Sequence, residues 1–541
     1  MLLRFCNLCC KSVDSSFVNV SRHYVNTAAT SARRKEQLHV DATEAQNKKI
    51  PIILTRRKEY NFYKGQMYGK KEVIPLLTKG WSHRNSRGDH FFVYPYDNVL
   101  SYTIIIQKQY QFGTFNDFCL DPSIITQLEN LNIKDPVEIQ QMGIPKILEG
   151  HNTLLTAETG CGKTLAYLLP LINQIMEWKK IGQRNRNCPL GLIVTPTREL
   201  AVQIALELIK LSKCLGIKTK MITGGKLKRT ILHPPVDNVD ILVGSFGAIS
   251  KLFTYGIYNR NFIRCLVLDE ADALFHHTFE EKLKVFLNKL HIGYCQEFDE
   301  NGFPKYVQLI LASATVPSRL KNILSNIVNV DSVAIVQTEK LHKILVPQKF
   351  IRMGPSEKPV ELLKYVKPKV ANREPVIIFS NTSGTSYWLT LFLNECGINV
   401  TNLNGKMPLS IRMGKYGQFL NGHVMVLSTT NAGSRGLDTV TVNHILNYDF
   451  PVDTADYIHR CGRTGRIGTT GDCRVTNFIC KQWEVALVQK IEKAVRKLKP
   501  IPIVNIADPN KELEMEDEVL GPEDYEEPII EDVDDVDNIP Y

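Results

Sequence analysis

The chain has 541 residues, 43% of them hydrophobic, which is more than a single hydrophobic core usually holds, so two folded domains plus tails are expected. Its net charge of +10 is unevenly placed: residues 508–541 carry fifteen acidic groups against Lys511 alone, and removing that −14 leaves +24 for residues 1–507, a body suited to a polyanionic partner. No run approaches the eighteen consecutive apolar residues of a spanning helix, and the 13 cysteines are scattered through strands, helices and loops, which excludes a disulfide framework and points to a reducing compartment.

Residues 1–35 contain Arg4, Lys11, Arg22, Arg33, Arg34 and Lys35 with Asp14 as their one acid, the pattern of a mitochondrial targeting segment. Cys6, Cys9 and Cys10 lie close together but lack the second cysteine pair or spaced histidines of a zinc site. Residues 36–112 form an N-terminal extension without clear periodicity. Its Tyr60, Phe62, Tyr63 and Tyr68 lie among basic clusters at 56–58 and 70–71; they either stack on bases or pack the extension onto the first lobe.

From 113 to 337 short apolar runs alternate with longer amphipathic ones. TLLTA at 153–157, LIVTP at 192–196, ILVGS at 241–245, CLVLD at 265–269 and QLILA at 308–312 read as strands, with helices starting near Lys163 and Glu199. That alternation predicts an α/β lobe with a parallel sheet covered on both faces. The polar stretch from His276 to Lys305 reads as a surface excursion. Residues 338–348, with Pro347, are the linker, and a second alternating unit follows over 349–500, with strands at PVIIFS 375–380, VMVLST 424–429 and HILNYD 444–449. Trp483–Lys499 reads as a basic helix presenting Val485, Val488, Ile491 and Val495 on one face. The acidic tail, 501–541, has few packing residues and is expected to be disordered.

Two phosphate-handling motifs stand in the first unit. Ala157-Glu158-Thr159-Gly160-Cys161-Gly162-Lys163-Thr164 follows a strand and opens a helix. Its glycines let backbone amides cradle phosphates, Lys163 neutralises the terminal phosphates, and the Thr164 hydroxyl suits magnesium. Asp269-Glu270-Ala271-Asp272 ends the run Leu266-Val267-Leu268, which delivers carboxylates to the same crevice. Asp269 is expected to position magnesium through water, and Glu270 to orient or deprotonate the hydrolytic water. In the second unit, His459-Arg460-Cys461-Gly462-Arg463-Thr464-Gly465-Arg466 interleaves arginines with glycines, as a cationic complement to a phosphate site would.

These residues, with Pro196-Thr197-Arg198-Glu199-Leu200-Ala201 and Ser313-Ala314-Thr315, resemble the DEAD-box family of ATP-dependent RNA helicases over about 115–470. The resemblance implies two RecA-like domains that bind ATP and Mg2+ between them, with RNA crossing the closed cleft. It assigns Phe115 and Gln140 to adenine, Asp438 to the ribose, and Arg463 and Arg466 to the phosphates, Arg466 as the finger. Pro196, Thr197, Arg198, Glu199, Gly224, Gly225, Thr430, Arg435 and Gly436 are implied for RNA, Ser313, Ala314, Thr315, His459 and Arg460 for coupling the lobes, and Arg412 for RNA or coupling. The chain departs from the family at Val137 (usually Thr), Ala248 (usually Arg), Leu409 (usually Gln) and Asn431 (usually Asp). The last loses a charge facing a nearby arginine.

The expected activity is local RNA strand separation driven by ATP, by a monomeric catalytic unit without membrane insertion. With the leader, the resemblance extends to a mitochondrial member acting on ribosomal RNA and the immature large subunit in the matrix, with nucleus or nucleolus as the alternative place. A weakly hydrolysing ATP-gated RNA clamp or scaffold, and a nucleic-acid-stimulated ATPase that remodels protein complexes, are the alternative activities. The acidic tail either competes with RNA phosphates or aids solubility.

Overall fold

The computed structural model describes residues 50–503, leaving out 70–71, 96–112, 182–185, 223, 225–226, 235, 237, 276, 295–296, 301, 317–322, 326, 330–331, 340, 405–406, 432–438, 440 and 470. The targeting segment, the acidic tail from 504, and Gly225, Arg435, Gly436 and Asp438 lie outside the described residues. The chain divides into two compact units. Of the first, 1–51 with Tyr63–Gln66, the described part is short, and the Lys64 amide donates to the Ile50 carbonyl at 2.8 Å. The second, Ile52–Phe62 with Met67–Tyr541, holds both lobes.

The first lobe is built on a parallel sheet in the order Ala334–Gln337, Thr153–Thr156, Gln308–Ser313, Cys265–Asp269, Gly191–Thr195, Ile241–Ser245, Thr219–Ile222. Its central strands are apolar at almost every position because both faces are covered. Successive side chains alternate between them: Leu155, Ile193, Val243, Val267 and Ile310 join one buried cluster, while Leu154, Leu192, Leu242, Leu266 and Leu309 join the other. The register sets Thr156 beside Ser313 and Asp269 beside Ala312. The phosphate loop, the acidic tetrad and the Ser-Ala-Thr turn therefore leave adjacent strands at their carboxyl ends, where open α/β sheets bind ligands.

The second lobe repeats the plan with Val400–Leu403, Val426–Thr429, Val376–Phe379, His444–Asn447, Arg474–Ile479 and Gln348–Arg352, all parallel. Gln348–Arg352 would end that sheet with unpaired backbone groups, a hazard that proteins cover. Here the extension covers it: His90–Val93 pairs antiparallel with Gln348–Arg352, and Pro51–Thr55 pairs with His90–Val93.

The expectation that the extension packs on the first lobe is therefore corrected, because its partners lie on the second. Phe91 stacks on Phe350 at 4.8 Å, and fully buried Trp81 lies 5.5 Å from Phe91. Burying such side chains is worth roughly 1.5–3 kcal/mol each. Base stacking is closed to Phe62, which is fully buried with Tyr68 5.6 Å away and Arg496 over its ring at 5.9 Å.

The helix Gln482–Arg496 buries Val485, Val488 and Ile491 as its periodicity requires. It also buries two charges. Glu492 accepts from the amides of Leu77 (3.0 Å) and Thr78 (3.1 Å) and the Thr78 hydroxyl (2.6 Å), while Arg496 donates to Glu492 (2.9 Å) and to the Tyr60 carbonyl (2.6 Å). A buried pair persists only when its remaining hydrogen bonds are satisfied, and the extension satisfies them.

Candidate active site at the interlobe cleft

Thr153–Thr156 feeds the phosphate loop into the helix Lys163–Ile181. Gly160 (φ 80°) and Gly162 (φ 88°) hold left-handed backbone that favours glycine. They also admit close neighbours: a Cβ at 160 would lie 2.5 Å from Arg466 Cγ, and one at 162 would lie 2.7 Å from Gln140 Nε2. Lys163 Nζ donates to the Ala157 carbonyl and, at 2.7 Å, to that of Glu158. Burial lowers its pKa, opposed by the nearby charges of Asp269 and Glu158. The Cys161 thiol is pushed up to about 12 by burial and by Glu158, and is inert at neutral pH.

Asp269 ends its strand and is buried, accepting from Tyr167 Oη at 2.9 Å. Tyr167 stands four residues beyond Lys163 on one helix face, a spacing that marks it beforehand as a neighbour of the phosphate loop. Burial, then the charge of Glu270, pushes Asp269 up to about 6. Glu270 itself has a left-handed backbone (φ 47°, ψ 51°), uncommon for a residue with a Cβ, and its Oε2 is buried with no hydrogen-bond partner among the described residues.

The second lobe meets these groups directly. Thr159 Oγ1 donates to the Gly462 carbonyl at 2.9 Å, Arg463 Nη2 lies 3.6 Å from Glu270 Oε1, and Arg466 covers Gly160 with its Nε donating to the Gly462 carbonyl at 3.0 Å. His459 Nε2 donates to Asp272 Oδ2 at 3.1 Å. The same oxygen accepts from the Thr315 amide (3.1 Å) and hydroxyl (2.6 Å). Burial raises the Asp272 pKa, but His459 and the hydroxyl donors outweigh it and hold the carboxyl well below its usual range. Asp272 thus joins the Ser-Ala-Thr turn to the arginine-rich segment.

Other expected residues are placed differently. Phe115 is 3% exposed in the core, edge-on to Phe118 at 6.0 Å. Gln140 accepts from the Val137 amide (3.0 Å) and donates to the Gly162 carbonyl (3.1 Å), bracing the phosphate loop. Arg460 is not brought to the first lobe. Its donors go to Asn431 Oδ1 (2.6 Å), the Asp449 carbonyl (2.7 Å) and Asn381 Oδ1 (2.7 Å), and it lies over Phe379 at 5.3 Å. The Asn431 amide keeps that hydrogen bond without a charge. Arg412, expected on RNA or in coupling the lobes, pairs across the lobes with Glu199 at 3.0 Å, both buried. Thr197 caps the helix Arg198–Leu211, Arg198 is exposed beside Gly224, Pro196 is half-buried, and Thr430 is buried.

Residues 137–323 match the DEAD/DEAH box helicase family and 357–468 match the helicase conserved C-terminal domain. The mouse protein "Probable ATP-dependent RNA helicase DDX28" is 34% identical over 464 residues, 83% of this chain and 85% of that one. This chain belongs to the DEAD-box helicase family. It is an ATP-dependent RNA helicase. The human "Probable ATP-dependent RNA helicase DDX28" is 32% identical over the same shares of both chains. In fold, the helicase resembles S. cerevisiae Dbp5 bound to RNA and ADP BeF3, with a TM-score of 0.61 and 23% identity over 76% of this chain and all of that one.

Among the described residues no group of three or more His, Cys, Asp or Glu side chains forms a metal cage. A magnesium ion held chiefly by substrate phosphates and water needs only one or two protein ligands. Asp269, whose raised pKa a nearby cation would lower, and Thr164, beside the Tyr167 hydroxyl, fit that requirement.

A pH signature follows. Asp269 takes up a proton more readily in the fold than in the unfolded chain, so its contribution to stability is present at low pH and is lost as pH rises from about 4 through about 6. At pH 7.5, without nucleotide, Asp269→Asn is expected to be more stable than the parent by roughly 2–3 kcal/mol, an advantage that shrinks as pH falls and vanishes only below about pH 3.5, and to lose hydrolysis. Thermal unfolding of both proteins across this range checks it, and equal melting at pH 7.5 refutes it.

Proposed function

We propose that this helicase separates short RNA duplexes locally, by closing its two lobes around ATP and magnesium while RNA binds across both. The observation that carries the reading is the convergence of Thr159 with Gly462, Glu270 with Arg463, and Asp272 with His459 from opposite lobes. Lys163 and Arg466 would bind the phosphates, Glu270 would hold and deprotonate the attacking water, and Arg463 would orient Glu270. Magnesium, when bound beside Asp269 and Thr164, supplies neutralising charge to the phosphates. A donor delivered by closure stabilises the transition state more than the open state. Binding of ATP and of RNA should therefore promote one another, and hydrolysis should release the strand.

We further place the protein in the mitochondrial matrix, acting as a monomer on ribosomal RNA and the immature large subunit. Support comes from the arginine-bearing, acid-poor residues 1–35 and the +24 body, with the acidic tail competing for the same basic surface. No helix among the described residues is long and apolar enough to cross a membrane.

RNA-stimulated phosphate release measured beside strand separation of a short duplex tests the activity: stimulation and separation are both expected, and neither appearing would refute it. Sequencing RNA crosslinked to the protein in purified mitochondria tests the assignment, with ribosomal enrichment expected and diffuse capture refuting it.

A further inference from the structure

We propose that His342 is a positioning residue that ties the interlobe linker to the Ser313-Ala314-Thr315 turn and thereby makes hydrolysis responsive to RNA; this rests on the RNA-helicase reading above. The linker is fastened at several points. The Thr338 amide donates to the Thr156 carbonyl at 3.1 Å and its hydroxyl to Glu158 Oε2 at 3.3 Å, while the Glu339 amide donates to Glu138 Oε1 at 2.9 Å. Val346 is buried against Gly465 of the arginine-rich segment, and the Pro347 carbonyl accepts from the Val475 amide at 3.0 Å. The linker thus touches the phosphate loop at one end and the second lobe's arginine-rich segment at the other.

His342 stands between those ends. Its Nε2 lies 3.1 Å from the Ala314 carbonyl. A carbonyl can only accept, so Nε2 carries the proton. Its own carbonyl accepts from the Ile501 amide at 3.0 Å, just beyond the second lobe's last helix. Burial lowers its pKa, opposed by the Ala314 hydrogen bond, and favours the neutral ring.

The backbone supplies an independent sign that the side chain matters. His342 has φ 60°, left-handed backbone that costs a residue with a Cβ roughly 1–3 kcal/mol. A hinge with no other duty would place glycine there. A histidine holding that geometry by both its ring and its carbonyl fixes the Ala314 carbonyl relative to the second lobe. The next residue, Thr315, donates to Asp272, which accepts from His459. The Ser-Ala-Thr turn is therefore gripped by the linker at Ala314 and by the acidic tetrad at Thr315. A displacement of the second lobe on RNA reaches the nucleotide side through both.

The test uses the full-length chain, ATP titrations at saturating RNA, and two substitutions. His342→Phe keeps a ring and removes the donor; His342→Gln sets an amide nitrogen at the same reach. Loss of one buried hydrogen bond predicts that the Phe variant lowers RNA-stimulated kcat about tenfold while KM for ATP moves less than about twofold, and that Gln restores most of the loss. A Phe variant turning over like the parent overturns the proposal, as does a folded Gln variant no better than Phe. Absence of RNA stimulation in the parent would instead overturn the helicase reading itself.

Discussion

Replacing Lys163 with alanine is expected to lower RNA-stimulated turnover by roughly 10²–10³ or more, the scale of losing one preorganised charge from a phosphate site. Lys163 begins the helix Lys163–Ile181, and its ammonium is held at the loop by the carbonyls of Ala157 and Glu158. Those carbonyls are weak partners for a buried cation, and burial already lowers its pKa. Phosphate oxygens would be better ones, so its free energy should fall when ATP arrives. The same reasoning gives a second outcome that ordinary loss of fold would not: without nucleotide, Lys163→Ala should unfold within a few degrees of the parent, because removing a poorly compensated buried charge offsets the lost contacts. Phosphate release and thermal unfolding measured on the same preparation decide it. Turnover within tenfold of the parent would remove Lys163 from the site.

What the sequence disclosed follows a physical division. Strands such as Leu192-Ile193-Val194 and Leu266-Val267-Leu268 were legible because a sheet covered on both faces demands continuous apolar runs. The phosphate loop was legible because its glycines, lysine and threonine lie within eight residues. Contacts set by distant partners were not. Nothing local in the helix Gln482–Arg496 marks Glu492 as buried, because the amides that satisfy it, Leu77 and Thr78, lie more than four hundred positions away. The sequence left Arg412 open between an RNA contact and lobe coupling, and only Glu199, 3.0 Å from it across the lobes, decides between them. Arg460 looked like a bridge between lobes, but its partners Asn431, Asn381 and Asp449 all belong to the second. The extension's attachment was unreadable for the same reason: its residues carry no clear periodicity, and nothing local says which sheet edge awaits them.

Glu270→Gln is expected to separate binding from chemistry, lowering single-turnover phosphate release by roughly 10²–10⁴, the range for loss of a general base, while ATP and RNA affinities stay near those of the parent. Glutamine nearly preserves the volume of the side chain, so the strained backbone at φ 47° and the packing of Asp269 should persist. The change removes the carboxylate that Arg463 approaches to 3.6 Å and whose Oε2 has no hydrogen-bond partner among the described residues. It also removes the Glu270 charge that helps raise Asp269, so the Asp269 pKa should fall below about 6 and magnesium nucleotide should bind at least as well at mildly acid pH. The arrested variant should therefore hold ATP and RNA together and release RNA slowly, because the step that reopens the cleft is missing. Dissociation of labelled RNA from the ATP complex, timed against phosphate release, reads both consequences. Fast release with slow hydrolysis would mean that closure does not depend on the unhydrolysed triphosphate, and hydrolysis at the parental rate would deny Glu270 its role as base.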